Sequence, residues 1–344
     1  MRKPGVAAAL ALGLVGTLSL AACGGGSQGA SSGGAGGDKT KIGLILEARP
    51  EVEPWSAAWH NAAEAVKKGN SNVEVTETYE AYDATRAEPV VRQMLDGGAK
   101  VMLLSTFVLA DVAKSVAKEY PKVPMVVSSF GVLQAPNLNS VTASYLEIGY
   151  STCWLLTKLS PDGRIGVVDA QGAPFETEIE QGCGLGAAAA NSAGKITKLS
   201  SNSFTDVQAN REQVQSLLDE GIKQIYLVSG TEDGVGGLRL CQEAKAQCAS
   251  WGGDAAQWAP TGAVLTVNLN WKGVIEELMN QAKNGLKAPQ TFDLTYGSGG
   301  LEALDYDKSA AVSPALKQEY RQVLADLASG KIKLPNSKAH PGFR

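Results

Sequence analysis

The run IGLIL at residues 42–46 is followed by the helix-like AAWHNAAEAVKK (57–68), the strand-like VEVTET (73–78), the helix-like EPVVRQMLD (88–96) and the strand-like VMLL (101–104). The strand-like runs are short and mostly aliphatic or β-branched, whereas the helix-like runs carry apolar residues at three- and four-residue steps. Strands and helices that alternate in this order are typical of a parallel sheet with helices on both faces. This stretch therefore predicts an α/β fold.

The same alternation continues along the chain. Further strand-like runs stand at residues 123–127, 165–168, 195–199, 224–228, 248–251 and 264–269. Further helix-like runs stand at residues 110–120, 146–159, 176–191, 207–219, 236–247 and 273–284. At roughly 100 to 200 residues per domain, a chain of 344 residues corresponds to about two domains. The sequence thus predicts two doubly wound sheets.

The composition excludes several functions. With 31 Lys+Arg against 35 Asp+Glu and a net charge of −4, the chain has no excess of cations to neutralise a phosphate backbone. Its two histidines, His60 and His340, stand far apart in the sequence, so His-based zinc sites and catalytic triads lack their parts. We expect no nucleic-acid partner, no metal, no cofactor and no catalytic residues.

The N-terminus resembles a secretory signal. Two basic residues precede the apolar run GVAAALALGLVGTLSL (5–20), and LAAC (20–23) fits the lipobox of bacterial lipoproteins. A membrane-spanning helix is the alternative, but the run is shorter than the roughly 20 residues that a span needs. We expect residues 1–22 to be a signal peptide, Cys23 to carry lipid, and the Gly/Ser-rich residues 23–40 to form a flexible tether on the extracytoplasmic face of the cell membrane.

Four further cysteines have no C-x-x-C spacing, which argues against zinc and thioredoxin-like redox sites. An even number of thiols in an oxidising compartment permits two disulfides. An antiparallel return could join Cys241 to Cys248, which leaves Cys153 with Cys183. Four buried free thiols are the alternative.

Ligands of doubly wound sheets bind beyond the carboxyl ends of the strands. The residues that follow the predicted strands provide aromatic rings with hydroxyls or carboxylates and almost no fixed positive charge; Ser105, Ser129 and Glu232 are among them. Such a site suits a flat, hydroxyl-bearing, neutral or cationic ligand better than a phosphate. Sugars and nucleosides have this character.

Four segments together resemble the basic membrane protein family: VAKEYPKVPMVVSSFG (116–131), GRIGVVDA (163–170), SNSFTD (201–206) and SWGGDAAQWAPTGAVLTVNLNW (250–271). Members of that family are substrate-binding lipoproteins of ABC transporters, similar to the purine nucleoside receptor. The resemblance implies the type I periplasmic-binding fold, in which two Rossmann-like lobes joined by three crossovers close on a ligand. It also implies ABC permease subunits as partners, and we expect a monomer.

We expect the first lobe to comprise residues 41–142 and 271–293, and the second to comprise residues 143–270 and 294–344. These boundaries place one crossover near Ala143, one near Asn270 and one near Leu294.

The resemblance also implies site residues. Trp55 stands where the family has an aromatic residue that stacks on one face of a base, and Phe204 stands at the aromatic position of the second-lobe motif. Asp206 matches the acid two positions later, and Asp254 matches a family acid that binds ribose hydroxyls. A flat ligand held between Trp55 and Phe204 is the arrangement that these matches predict.

Several positions depart from the family pattern. Glu53, Pro54 and Ser56 flank Trp55 where the family has Asp before its aromatic residue and Asn after it. Ser129 stands near a position that is often Asp, and Asn270 stands near one that is Lys in nucleoside receptors. We still expect Ser56, Ser129 and Asn270 to contact the ligand, but guanosine-type recognition does not transfer. A sensor that signals to a membrane partner, or a sugar-binding protein of the same fold, is the alternative.

Overall fold

A computed structural model describes residues 39–81 and 83–335. Its strands are β1 (Thr40–Ile45), β2 (Val73–Thr78), β3 (Val101–Leu104), β4 (Met125–Val127), β5 (Leu138–Ala143), β6 (Arg164–Asp169), β7 (Lys195–Ser200), β8 (Gln224–Leu227), β9 (Gln247–Gly252), β10 (Ala263–Leu269), β11 (Thr291–Leu294) and β12 (Leu301–Leu304). Its helices are α1 (Pro54–Gly69), α2 (Ala84–Asp96), α3 (Ala110–Glu119), α4 (Tyr145–Leu159), α5 (Pro174–Ala190), α6 (Val207–Asp219), α7 (Gly234–Ala244), α8 (Trp271–Asn284) and α9 (Pro314–Ala328). Cys23 and the predicted signal peptide lie outside the described residues.

The strands form two six-stranded sheets. The sheet of the first lobe has the order β11-β5-β4-β3-β1-β2 and is parallel throughout. The sheet of the second lobe has the order β12-β10-β9-β8-β6-β7 and is parallel except for β12, which runs antiparallel to β10. The predicted fold class is confirmed: two doubly wound α/β lobes.

The chain passes between the sheets three times. It leaves the first sheet after β5, returns to it at α8, which packs on α1 and β3, and leaves again between β11 and β12. Helix α4 packs on α5 and on β8 of the second lobe. Because β11 returns to pair with β5, neither lobe is one contiguous stretch of sequence.

Sequence patterns missed β5, β11, β12 and α9. In β5, LNSVTA mixes polar with apolar residues, yet all six of its residues are buried. Asn139 explains how this burial is tolerated: its Nδ2 donates to the carbonyl of Met125 (3.1 Å), and its Oδ1 accepts from the backbone N–H of Gln290 (3.1 Å). Since the polar atoms of Asn139 are satisfied by the neighbouring strand and the segment before β11, the burial of this side chain costs little.

Helices α4 and α5 pack backbone to backbone. A Cβ atom at Gly182 would overlap the carbonyl oxygen of Leu146, and one at Gly186 would overlap that of Tyr150. Glycines at this contact let two helices approach closely, which explains the GCGLG stretch inside α5 without any phosphate. The structure pairs Cys153 with Cys183 between the same two helices, and Cys241 with Cys248 between α7 and β9.

Among the described residues, no helix is both long enough and apolar enough to cross a bilayer.

Candidate functional site

A cavity of about 510 Å³ lies between the lobes, at the carboxyl ends of both sheets. Its first-lobe wall is formed by Glu47, Glu53, Trp55, Ser105, Thr106, Phe107, Val108, Ser128, Ser129, Phe130, Val141, Thr142, Ala143 and Trp271. Its second-lobe wall is formed by Tyr145, Ala173, Pro174, Phe175, Phe204, Ser229, Thr231 and Trp251. The position is the one that ligands of doubly wound sheets occupy, and the size suits a small organic molecule.

Trp55 is held at the first-lobe side of the cavity by contacts on several sides. Pro54 begins α1, and the Trp55 indole N–H donates to the carbonyl of Ser105 after β3 (2.9 Å). The indole packs edge-on against Trp251 (5.8 Å between ring centroids) and Trp271 (5.2 Å). The ring is therefore fixed in orientation before any ligand enters.

Aromatic rings also form the second-lobe wall. Trp251 at the end of β9 donates its indole N–H to the carbonyl of Val228, and Phe175 lies edge-on to it at 5.8 Å. Phe204 stacks on Phe175, with centroids 6.1 Å apart and planes 26° apart. With Trp55 on the first lobe, these rings offer flat apolar faces from both lobes to a planar ligand.

A buried carboxylate shapes the loop that presents Phe175. Glu176 is fully buried and accepts backbone N–H bonds from Ala170 (2.7 Å), Gln171 (3.1 Å) and Ala173 (2.9 Å). These bonds close the turn between β6 and α5, so Phe175 is set at the start of the helix by the backbone rather than by side-chain packing alone.

Two carboxyl groups line the cavity from the loop between β1 and α1. Glu53 is 1% exposed and accepts a hydrogen bond from Ser56 Oγ, which itself accepts from the backbone N–H of Ala48 (3.1 Å). Burial raises the pKa of Glu53 to about 8, with a further contribution from repulsion by Glu47. Burial likewise raises the pKa of Glu47 to about 7, although a hydrogen bond with the Thr106 side chain partly lowers it. Both groups are therefore largely protonated or in mid-titration near neutral pH.

The cavity carries negative but not positive side chains. None of its described lining residues is Lys, Arg or His. Glu232 of the second lobe is near enough to Glu53 to raise the pKa of that carboxyl further. Ser105 and Ser128 add buried hydroxyls that have no hydrogen-bond partner in the described part of the chain. These hydroxyls are available to a ligand.

The structure brings four of the predicted site residues to the cavity wall and leaves five elsewhere. Trp55, Ser105, Ser129 and Phe204 line it. Ser56, Asp206, Glu232, Asp254 and Asn270 do not. The structure gives most of the second group other partners.

Two of these acids cap helices. Asp206 is exposed and accepts from the N–H groups of Gln208 (3.1 Å) and Ala209 (2.9 Å) at the start of α6. Asp254 is exposed and accepts from Ala256 N–H (2.9 Å) at a short 3₁₀ turn. Such bonds satisfy free backbone donors at helix starts.

The other three stand near the cavity or at a crossover. The Ser56 hydroxyl is committed to Glu53 and Ala48. Asn270 is exposed and donates to the carbonyl of Gly299 (3.3 Å) at the second crossover. Glu232 is half-buried beside Asp233, whose carboxylate accepts from Asn210.

Sequence reasoning missed four aromatic lining residues: Tyr145, Phe175, Trp251 and Trp271. Trp251 falls within the predicted strand at residues 248–251, and in the structure it lies near the carboxyl end of β9 and lines the cavity. Phe175 and Tyr145 begin helices, and Trp271 begins α8 at a crossover. The signal that could have found Tyr145, Phe175 and Trp271 is an aromatic residue at the first or second position of a helix that follows a strand.

A second cavity, of about 450 Å³, lies beside the first and third crossovers and α9. Glu147 lines it and accepts the backbone N–H of Tyr296 (2.8 Å). Burial raises the pKa of Glu147 to about 7. No group of His, Cys, Asp and Glu among the described residues could hold a metal ion.

Two α/β lobes with three crossovers and a cavity between them define a solute-binding protein of the periplasmic type. The chain belongs to the Bmp family, described as "ABC transporter substrate-binding protein PnrA-like", whose profile matches residues 39–333. The resemblance found in the sequence is thereby confirmed. The family is a class of solute-binding proteins and not a class of enzymes.

Individual relatives are distant. A purine-binding protein of Brucella abortus (strain 2308) is 23% identical over 238 residues, which cover 68% of this chain and 66% of that protein. Basic membrane protein A1 of Borrelia garinii subsp. bavariensis is 22% identical over 59% of this chain and 60% of its own. Each match thus spans less than two thirds of the relative. An ABC transporter solute-binding protein of Conexibacter woesei has a TM-score of 0.75 at 22% identity, over 86% of this chain and 98% of its own.

Proposed function

We propose that this protein captures a small planar ligand, a purine nucleoside or base, between its two lobes and delivers it to the permease subunits of an ABC importer. The observation that carries the proposal is the interlobe cavity, in which aromatic rings of both lobes face a space of about 510 Å³. The purine-binding relative supports a purine as the ligand class.

Within this proposal, Trp55 and Phe204 cover opposite sides of the ligand. Trp55 belongs to the first lobe and Phe204 to the second, so both rings contact one ligand well only when the lobes are together. Stacking against an aromatic side chain contributes about 0.5 to 1.5 kcal/mol beyond the burial of area. Binding and lobe closure are then linked, because the full stacking energy is gained in one arrangement of the lobes.

The ligand class is tested by thermal unfolding of the purified protein with nucleosides, free bases and sugars. A ligand that binds only the folded state raises stability by RT ln(1 + [L]/Kd), which is about 2.7 kcal/mol at 100 times Kd. We expect a purine nucleoside or base to raise the melting temperature. If sugars raise the melting temperature and purines do not, the ligand is a sugar and the purine assignment is wrong.

We also propose that the protein is a monomeric lipoprotein, anchored through Cys23 on the extracytoplasmic face of the cell membrane. The support is the lipobox LAAC (20–23), which follows an apolar run with a basic start. Cys23→Ala is expected to block lipoprotein processing or to release the protein from the membrane fraction. Unchanged processing and membrane association in that variant would contradict the anchor.

A further inference from the structure

The carboxyl groups of Glu47 and Glu53 lie in the cavity without a countercharge. Both line it from the loop between β1 and α1. Glu232 of the second lobe does not line the cavity, but its charge also raises the pKa of Glu53. The pKa of Glu53 is raised by the charges of Glu47 and Glu232 and lowered by hydrogen bonds from the side chain and backbone of Ser56. The pKa of Glu47 is lowered by a hydrogen bond with the Thr106 side chain. A buried carboxylate that lacks a cation is costly, so such groups keep a proton or acquire a positive partner.

The walls around these carboxyls suit a positive partner. Trp55, Trp251, Phe175 and Phe204 present aromatic rings, and aromatic faces attract cations through the ring quadrupole, most strongly for Trp. The unpartnered hydroxyls of Ser105 and Ser128 provide further acceptor atoms at the same wall. Carboxylates and aromatic faces favour the same kind of ligand, a ring that carries positive charge.

We propose that the cavity selects a planar organic cation, an aromatic ring with a fixed or protonated positive charge, and that Glu47 and Glu53 receive this charge. This inference rests on the proposed function, since it requires the interlobe cavity to be the ligand site. It deepens that function by naming the ligand's charge: a cationic purine is preferred over a neutral one. Glu47 and Glu53 are then the residues that determine specificity.

The proposal includes an exchange of a proton for the cation. In the empty cavity near pH 7 the raised pKa of Glu53 keeps a proton on that carboxyl. An entering cation makes the ionised carboxylate favourable, so the proton leaves to the buffer as the cation binds. A neutral ligand does not stabilise the ionised carboxylate, so its binding releases no proton. Cation binding should therefore release protons and tighten as the pH rises from 6 toward 8.

The test is isothermal titration calorimetry of the purified protein with two matched probe sets at pH 7. The first set is 1-methyladenosine, whose methylated ring is cationic at this pH, against neutral adenosine and neutral N6-methyladenosine. The second set is 1-methylnicotinamide, a fixed pyridinium cation, against nicotinamide. Repeating each titration in two buffers of different ionisation enthalpy measures the protons released.

We expect each cation to bind about tenfold or more tightly than its neutral partner and to release up to about one proton. Glu53→Gln and Glu47→Gln should bring the cation-to-neutral ratio toward one while the neutral probes still bind. Glu51→Gln is the matched control, because Glu51 lies in the same loop but is exposed and does not line the cavity. It should leave the ratio unchanged. The wild-type ratio requires no variant, so the test holds even if one variant fails to fold.

The outcomes separate this inference from the proposed function. Neutral purines that bind as tightly as 1-methyladenosine overturn the cation preference and leave the purine-binding function in place. Binding of 1-methylnicotinamide without binding of any purine overturns the purine assignment and supports the cation preference. If none of the probes binds, both the inference and the purine assignment are overturned.

Discussion

Trp55 is the residue on which the proposed stacking depends most. Trp55→Ala removes a large aromatic face from the ligand, and the combined loss of stacking and burial is about 2 to 4 kcal/mol. Affinity should fall about 30-fold to 1000-fold, measured by calorimetry with the purine that raises the melting temperature most. Trp55→Phe keeps an aromatic face and should lose much less. If Trp55→Ala remains folded and binds like the wild type, Trp55 serves only to pack against Trp251 and Trp271.

Glu53 makes the stability of the ligand-free protein depend on pH. Its pKa is raised to about 8 in the folded chain from an ordinary value of 4.5. Between pH 4.5 and about pH 8, the folded state thus holds a proton on Glu53 that the unfolded state has lost. The stability associated with this proton is fully present below pH 4.5 and is lost as the pH rises through about 8.

Glu53→Gln removes this titration, because glutamine keeps the shape of the protonated carboxyl group. Thermal unfolding at pH 5 and pH 8 should show that the variant gains stability relative to the wild type at the higher pH. Raised carboxyls that do not interact with Glu53, such as Glu147, titrate equally in both proteins and cancel in the comparison, whereas Glu47 loses its repulsion by Glu53 in the variant. If the melting temperatures of the variant and the wild type differ by the same amount at pH 5 and at pH 8, the raised pKa of Glu53 is contradicted.

At the scale of elements, the contact between α4 and α5 depends on glycine. Gly182→Ala places a methyl group against the carbonyl of Leu146, and overpacking of this kind costs about 1 to 3 kcal/mol. Gly184 lies in the same helix with open space around it, so Gly184→Ala should be neutral or slightly stabilising. Denaturant unfolding of the two variants checks this difference. Equal stabilities would show that the helices adjust without strain.

The strand and helix pattern predicted most elements of both lobes. Two of the segments that it missed show why. Strand β5 buries the polar residues Asn139 and Ser140, whose hydrogen bonds are not visible in the hydrophobic periodicity. Strand β12 is only four residues long and runs antiparallel at a sheet edge. The carboxyl ends of the strands located the cavity correctly. The individual contacts could not be predicted, because whether Asp254 caps a turn or faces a ligand depends on loop geometry.

At the scale of the whole molecule, the two lobes meet where the start of α1 and the loop before it contact the second lobe. The backbone N–H of Trp55 donates to the carbonyl of Gly230 (3.2 Å), and the Trp258 indole N–H donates to the carbonyl of Glu51 (3.3 Å). A Cβ atom at Gly253 would overlap the carbonyl oxygen of Pro54. The start of α1 can therefore pack this closely against the second lobe only because residue 253 has no side chain.

Gly253→Ala should hold the lobes apart. We expect weaker ligand binding, and a larger radius of gyration by small-angle X-ray scattering at saturating ligand than the wild type shows. Gly273→Ala in α8 is the control, since nothing lies near a Cβ atom there. Wild-type affinity and scattering in Gly253→Ala would mean that this contact plays no part in closure.

The central claim is that a planar ligand binds in the interlobe cavity between aromatic rings of both lobes. A crystal structure of the protein with the purine that stabilises it most tests this directly. We predict flat ligand density inside the cavity, in contact with Trp55 and Phe204 and with an edge toward Glu47 and Glu53. Density outside that cavity, for instance in the second cavity beside Glu147, would contradict the account.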